Sequence, residues 1–76
     1  MGKNNNIKQM NRVFEVEELW AEENMLDGVE EIYLPAHPSK GDVININGYD
    51  LVIHRIIFYV SKSGSYEITK LILNRQ

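Results

Sequence analysis

The dipeptide Asn47-Gly48, which separates two runs rich in β-forming residues, constrains the fold more than any other feature of the sequence. The two runs are residues 42–46 and residues 49–53. Both turn residues of a type I′ hairpin need a positive φ angle, and asparagine and glycine tolerate that conformation best. The sequence therefore predicts a tight β-hairpin at the centre of a mostly β fold.

A two-residue turn also fixes the register of the hairpin, because side chains alternate between the two faces of each strand. One of the two faces is almost entirely apolar, so we expect it to lie in the core. The predicted pairs are Ile46 with Tyr49, Ile44 with Leu51 and Asp42 with Ile53, and the predicted core face carries Ile44, Ile46, Tyr49, Leu51 and Ile53.

Further segments have the pattern of strands and turns. The second hairpin strand runs on to Val60 and is apolar on both faces, so we predict that a bulge near His54-Arg55 bends it. An upstream strand ends at Pro35, because proline cannot donate a hydrogen bond to a strand ladder. The segments predicted besides the hairpin are a strand at residues 29–34, a turn at residues 62–65 and a strand at residues 66–73.

The segment of residues 13–26 has two interpretations. A helix here would bury one apolar face, whereas as a strand residues 14–17 alternate cleanly and a bulge at Glu17-Glu18 returns Trp20 to the core. We favour the strand, because the neighbouring segments are all β and sequential strands tend to pair. The predicted fold is a small five-stranded SH3-like barrel or bent sandwich, and the alternative is an α+β fold with a helix at about residues 14–26.

The chain has 76 residues and no cysteine, so it has room for one compact core and no disulfide to support it. We expect residues 11–76 to form a single small β domain. Residues 1–10 contain three consecutive asparagines and few apolar side chains, so we expect a disordered tail. No secretion signal or long apolar run is visible, and a cytoplasmic location is the expectation.

The stretch Leu34–Ile44, with the sequence LPAHPSKGDVI, is followed by Gly48-Tyr49 and Val52. This pattern resembles small SH3-like β-barrel proteins of bacteria and their mobile elements, a family of unknown function. Those proteins share a proline, then Gly-Asp, an apolar strand, a tight glycine turn and a strand with an aromatic residue and a valine. The resemblance extends from Leu34 to Phe58 and implies the fold and a bacterial source, but no activity and no functional residue.

Side chains suited to catalysis or metal binding are few. His37 and His54 are the only histidines, and no acidic residue stands at a recognised metal-binding spacing from them. The four serines lie in turn-forming contexts without a nucleophile elbow, and the five glycines form no phosphate-binding loop. We therefore expect no enzyme, no catalytic or metal site and no cofactor.

Charge is distributed unevenly along the chain. Residues 15–31 carry eight acidic side chains and no basic one, and the net charge is -3. An isoelectric point near 5.2 argues against nucleic acid as the partner, for which Arg55, Lys62 and Lys70 would form the binding face. A second alternative is an acidic inhibitor protein of a mobile element that mimics nucleic acid.

The loop of residues 35–41 is our candidate binding element, because its two prolines reduce the entropy lost when a partner fixes it. We predict a non-catalytic interaction module that binds protein through this loop and neighbouring aromatic side chains. The partner is unknown, a homodimer is an open alternative, and no membrane contact is expected. The candidate partner-binding residues are Tyr33, His37, Pro38, Lys40 and Tyr59.

Overall fold

The computed structural model describes residues 12–20 and 24–76. These residues form a single five-stranded sheet and contain no helix. The strands are β1 (Arg12–Glu18), β2 (Glu31–Leu34), β3 (Val43–Ile46), β4 (Tyr49–Val60) and β5 (Tyr66–Arg75).

The strand order across the sheet is β2-β1-β5-β4-β3. Strands β1 and β5 run parallel, and the other neighbouring pairs are antiparallel. The sheet is strongly curled into a half-barrel, so it has a concave inner face and a convex outer face. This architecture confirms the predicted mostly β fold with five strands. The alternative of a helix at about residues 14–26 is wrong for Phe14–Glu18, which belong to strand β1. The predicted tail of residues 1–10 lies outside the described residues.

The central hairpin has the predicted turn and register. Asn47 and Gly48 both adopt positive φ angles, of 56° and 87°. Within the ladder, Ile46 pairs with Tyr49 and Ile44 with Leu51. The third predicted pair is formed only in part: the Ile53 amide donates to the Asp42 carbonyl at 2.9 Å, but the Ile53 carbonyl accepts from the Gly41 amide, and the regular pairing ends at Val43 with Val52.

Strand β4 is bent where the sequence predicts a bulge. Its pairing with β5 shifts register between Ile53 and Arg55, which leaves His54 as the extra residue. A second shift, between Tyr59 and Val60, was not foreseen from the sequence. The two shifts allow one long strand to follow the curl of the half-barrel.

The core fills the concave face, with Leu71 of the central strand fully buried. One end of this core is covered by the segment after β1, which places Leu26 among the buried residues. The Glu18 carboxylate accepts hydrogen bonds from the Met25 and Leu26 amides, and the Asn47 side-chain amide donates to the Leu26 carbonyl at 2.7 Å. The buried core cluster is Phe14, Val16, Leu26, Ile46, Leu51, Ile53, Leu71 and Leu73.

Two aromatic residues predicted to be buried are exposed. Tyr49 is 51% exposed, although its ladder partner Ile46 is buried, and Trp20 is 52% exposed. The predicted bulge at Glu17-Glu18 is wrong, since β1 pairs with β5 in continuous register through both residues. Trp20 lies two residues beyond the end of β1 and is exposed.

Candidate functional site

Most aromatic side chains of this protein lie at its surface. The sequence has one tryptophan, four tyrosines and two phenylalanines, and of these seven only Phe14 is buried. Isolated apolar side chains on a surface are ordinary, whereas contiguous ones mark interaction sites. The position of each exposed ring on the half-barrel therefore decides whether it belongs to a candidate site.

Three exposed apolar side chains gather on the inner face where β4 ends and β5 begins. Phe58, Val60 and Tyr66 are 55%, 58% and 60% exposed. Val60 pairs with Tyr66 across the ladder, and alternation along β4 places Phe58 and Val60 on the same face. The Tyr66 hydroxyl is hydrogen-bonded to that of Thr69, which is fully buried on the inner face. We call Phe58, Val60, Tyr66 and the adjacent His37 the hairpin-end cluster.

His37 connects this cluster to the core. Its ring stacks on Phe58 with 5.6 Å between ring centroids and meets the edge of Phe14 at 5.4 Å. The ring nitrogen Nδ1 is 2.8 Å from the Pro38 carbonyl oxygen, which fixes the ring against its own loop. The imidazole thus lies over the open end of the half-barrel, opposite the end that Leu26 covers.

The loop that carries His37 is held at its far end by local hydrogen bonds. The Ser39 amide donates to the Asp42 carboxylate at 2.8 Å, and the Gly41 amide donates to the Ile53 carbonyl at 2.9 Å. Gly41 has a φ angle of 95°, a conformation that side-chain-bearing residues rarely adopt. The Gly-Asp of the sequence pattern therefore has a structural role in joining the loop to β3.

A shallow groove of about 340 Å³ lies between this loop and β3. Its walls are mostly apolar, with the ring of His37 and the carboxylate of Asp42 as the polar groups. Such a groove is large enough for an apolar side chain of a partner and too open to enclose a small molecule. The lining residues are Leu34, Pro35, Ala36, His37, Pro38, Asp42, Val43 and Ile44.

The outer face has a different chemistry, centred on Lys70. Its ammonium group donates to the Glu17 carboxylate at 2.9 Å, is 4.0 Å from Glu15, and lies 5.6 Å from the centroid of the Tyr59 ring. The hydrogen bond to Glu17 raises the pKa of Lys70, with partial burial acting in the opposite direction. The lysine charge is therefore already matched by carboxylates of the neighbouring strand.

A second cavity, of about 240 Å³, opens on the same outer side. Carboxylates of Glu15, Glu30 and Glu31 line it together with Lys70. Among residues 12–20 and 24–76, no group of three or more histidine or acidic side chains is arranged to hold a metal ion. The cavity is thus an acidic surface recess.

The structure brings together only some of the candidate residues that the sequence indicated. His37, Pro38 and Lys40 share the loop, and the first two line the groove. Tyr33 and Tyr59 lie on the outer face, because side chains alternate along a strand and the residues on either side of each tyrosine face inward. The sequence interpretation missed Phe58, Val60 and Tyr66 as loop neighbours. For Tyr66 the missing information was the second register shift, which leaves Glu67 unpaired and sets the face on which Tyr66 lies.

The remaining polar groups are in ordinary local arrangements. The hydroxyls of Ser61 and Ser63 are 2.9 Å apart within the turn after β4, and Ser63 in turn donates to Ser65. Within the described ranges, no buried side-chain nitrogen or oxygen lacks a hydrogen-bond partner. None of the secondary structure described here is a helix of membrane-spanning length and hydrophobicity.

Comparison of the chain with protein-family models, curated proteins and solved structures finds no match. The resemblance of residues 34–58 to small SH3-like proteins stays a prediction.

Proposed function

We propose that this chain is a non-catalytic protein-binding module whose binding surface is the hairpin-end cluster together with the loop of residues 35–41. The observation that carries the proposal is that Phe58, Val60 and Tyr66 lie side by side and each is more than half exposed. Covering apolar surface contributes roughly 25 cal/mol per Å², so these side chains favour association with another apolar surface. Aromatic residues of this kind dominate the energetics of protein interfaces.

The surface is also held in one shape before a partner arrives. Pro35 and Pro38 restrict the loop, and the ring of His37 is fixed by stacking on Phe58 and by an edge-on contact with Phe14. A surface that is already ordered loses less conformational entropy on binding. Rigidity therefore supports the loop and the cluster as one binding surface.

The two rival functions have weaker support. A nucleic-acid face on Arg55, Lys62 and Lys70 would rely on a lysine whose charge Glu17 and Glu15 already match. The same ion pairs weaken the acidic inhibitor, because they reduce the negative charge that such a mimic would display. The acidic inhibitor does not account for the apolar cluster on the inner face, and base stacking on Phe58 and Tyr66 would still need nearby cations that are free to contact phosphates.

The proposal is tested by changing the cluster and comparing captured proteins. Immobilised wild-type protein, a Phe58→Ser/Val60→Ser variant and a Tyr33→Ser control are exposed to a lysate of the source organism. Tyr33 is a matched control because it is an exposed aromatic residue on the opposite face. We expect the cluster variant to lose specific partners that the wild type and the control retain, as measured by quantitative mass spectrometry.

The loop is tested separately with a His37→Ala/Lys40→Ala variant, in which both changed residues are exposed in the native fold. We expect weakened capture of the same partner, with a native amide NMR spectrum as the folding control. Equal capture by the wild type, the cluster variant and the loop variant would overturn the proposal. A loss seen only with Tyr33→Ser would move the binding surface to the outer face.

A further inference from the structure

The two edges of the sheet differ in how they are protected against pairing with another strand. At the β2 edge, Glu30 and Glu31 precede or begin the strand and Pro35 follows it. Charged residues and proline are the usual means by which natural sheets prevent edge pairing. Strand β3, with the sequence Val43–Ile46, is the other edge and carries no charge and no proline.

The hydrogen-bond geometry of β3 leaves its outer side able to accept a strand. The Ile53 amide donates to the Asp42 carbonyl, and hydrogen-bonded and non-hydrogen-bonded pairs alternate along an antiparallel ladder. Val43 and Asn45 therefore direct their N–H and C=O groups away from β4. No backbone hydrogen bond from another described segment reaches these two residues.

We infer that β3 is a self-association edge, which pairs antiparallel with β3 of a second copy of this chain about a two-fold axis. In one register, all the outward N–H and C=O groups of Val43 and Asn45 find a partner in the second copy. This register places Val43 opposite Asn45 of the second copy, and the two-fold axis repeats the pair. The register forms four backbone hydrogen bonds and sets the two Ile44 side chains opposite each other on the inner face. If the register is shifted by two residues, only one hydrogen-bonded pair between β3 residues of the two copies remains.

Charge and apolar surface support a second copy as the occupant. Strands β1 and β2 carry Glu15, Glu17, Glu18 and Glu31, whereas β3 carries no acidic residue and only Asp42 directly precedes it, so two copies meet through the less charged of the two edges. Val43 is 48% exposed and lines the groove with Ile44, so pairing covers apolar surface as well as polar backbone. The β2 edge cannot continue the pairing, because Glu30, Glu31 and Pro35 protect it. Assembly therefore stops at a dimer and does not extend into fibres.

The inference goes beyond the proposed function, because it concerns the backbone edge of β3 and a second copy of the chain, although Val43 and Ile44 of that strand also line the groove beside the loop of residues 35–41. A four-residue edge buries less area than the roughly 1,200 to 2,000 Å² of a stable specific interface. The dimer should therefore be reversible, with a dissociation constant in the range of about 10 µM to 1 mM.

Association is tested by sedimentation velocity and amide NMR on the full chain from about 10 µM to about 1 mM. We expect the apparent mass to rise with concentration and shift changes to centre on residues 42–46. Amide hydrogen exchange gives a test that needs no variant. The Val43 and Asn45 amides should gain protection as the protein concentration rises, whereas those of Ile44 and Ile46, which face β4, should be protected throughout.

A proline at Val43 removes the outward N–H group without breaking the ladder to β4. We expect Val43→Pro to lower self-association at least tenfold, and Val43→Thr, which keeps a β-branched side chain and the N–H group, to retain it. A wild-type protein that is monomeric throughout the range would overturn the inference, as would shift changes confined to Phe58 and Tyr66. A monomeric Val43→Pro variant that still captures the partner would leave the proposed function intact.

Discussion

Asn47 acts on two parts of the chain from one position. Its positive φ angle forms the hairpin turn with Gly48, and its side-chain amide donates to the Leu26 carbonyl. The first role was predictable from the sequence, because it depends on two adjacent residues. The second was not, because it joins residues 21 positions apart that meet only when the half-barrel has formed.

The two roles of Asn47 can be separated by substitution. Asn47→Gly keeps the positive φ angle and loses only the hydrogen bond, so we expect the free energy of unfolding to fall by about 1 kcal/mol. Asn47→Ala loses the hydrogen bond and also strains the turn, so we expect a fall of about 2 kcal/mol or more. Urea denaturation measures both values, and equal losses for the two variants would contradict the assignment of separate roles.

Lys70 provides a pH-dependent contact on the outer face. Its hydrogen bond to Glu17 raises the pKa of the ammonium group above the usual 10.5. A raised pKa in the folded state means that the pairing stabilises the fold fully below pH 10.5, and that this contribution is lost as the pH rises through the raised value. NMR titration of the Lys70 side chain should show this elevation, and Glu17→Gln should lower the pKa. An unchanged pKa in the Glu17→Gln variant would refute Glu17 as the cause.

At the scale of the strands, the sequence predicted correctly the features that depend on residues close together in the chain. The turn at Asn47, the register that follows from it and the bulge at His54 are all present. Burial was less predictable, because alternation gives the face on which a residue lies, whereas the covering of that face depends on segments that are distant in the sequence. Tyr49 has the correct alternation for the core and is nevertheless exposed at a strand end, and Trp20 lies beyond the end of its strand.

The central strand β5 should be the most sensitive to truncation of its side chains. Leu71 is fully buried between neighbours on both sides, so Leu71→Ala should lower the free energy of unfolding by about 2 to 5 kcal/mol. Val60→Ala is the control, because Val60 is mostly exposed and its truncation should change stability by less than about 0.5 kcal/mol. Thermal unfolding followed by circular dichroism distinguishes the two. Similar losses for both variants would contradict the position of the core.

At the scale of the whole molecule, the uneven charge of the sequence becomes a matched surface. The acidic strand β1 lies beside β5, so that Glu15 and Glu17 meet Lys70 across the parallel pair. The sequence showed that the acidic segment of residues 15–31 precedes residues 32–76, which carry five basic and three acidic side chains. It did not show that the two strands would be neighbours, because parallel pairing of β1 with β5 depends on the complete topology.

This charge arrangement predicts that the protein does not bind single-stranded nucleic acid. Affinity for a phosphate backbone comes mainly from cations that replace its counterions, and it is strongest at low salt. Here the net charge is -3, and the best-placed cation, Lys70, is held by Glu17 and Glu15. Fluorescence anisotropy of a labelled oligonucleotide should stay flat up to about 100 µM protein at about 50 mM salt.

A Glu15→Gln/Glu17→Gln variant, which frees Lys70 and changes the net charge from -3 to -1, should gain at most weak binding that disappears as salt is added. Salt-sensitive binding by the wild-type protein would instead favour a nucleic-acid function, because it would show that Arg55 and Lys62 suffice without Lys70.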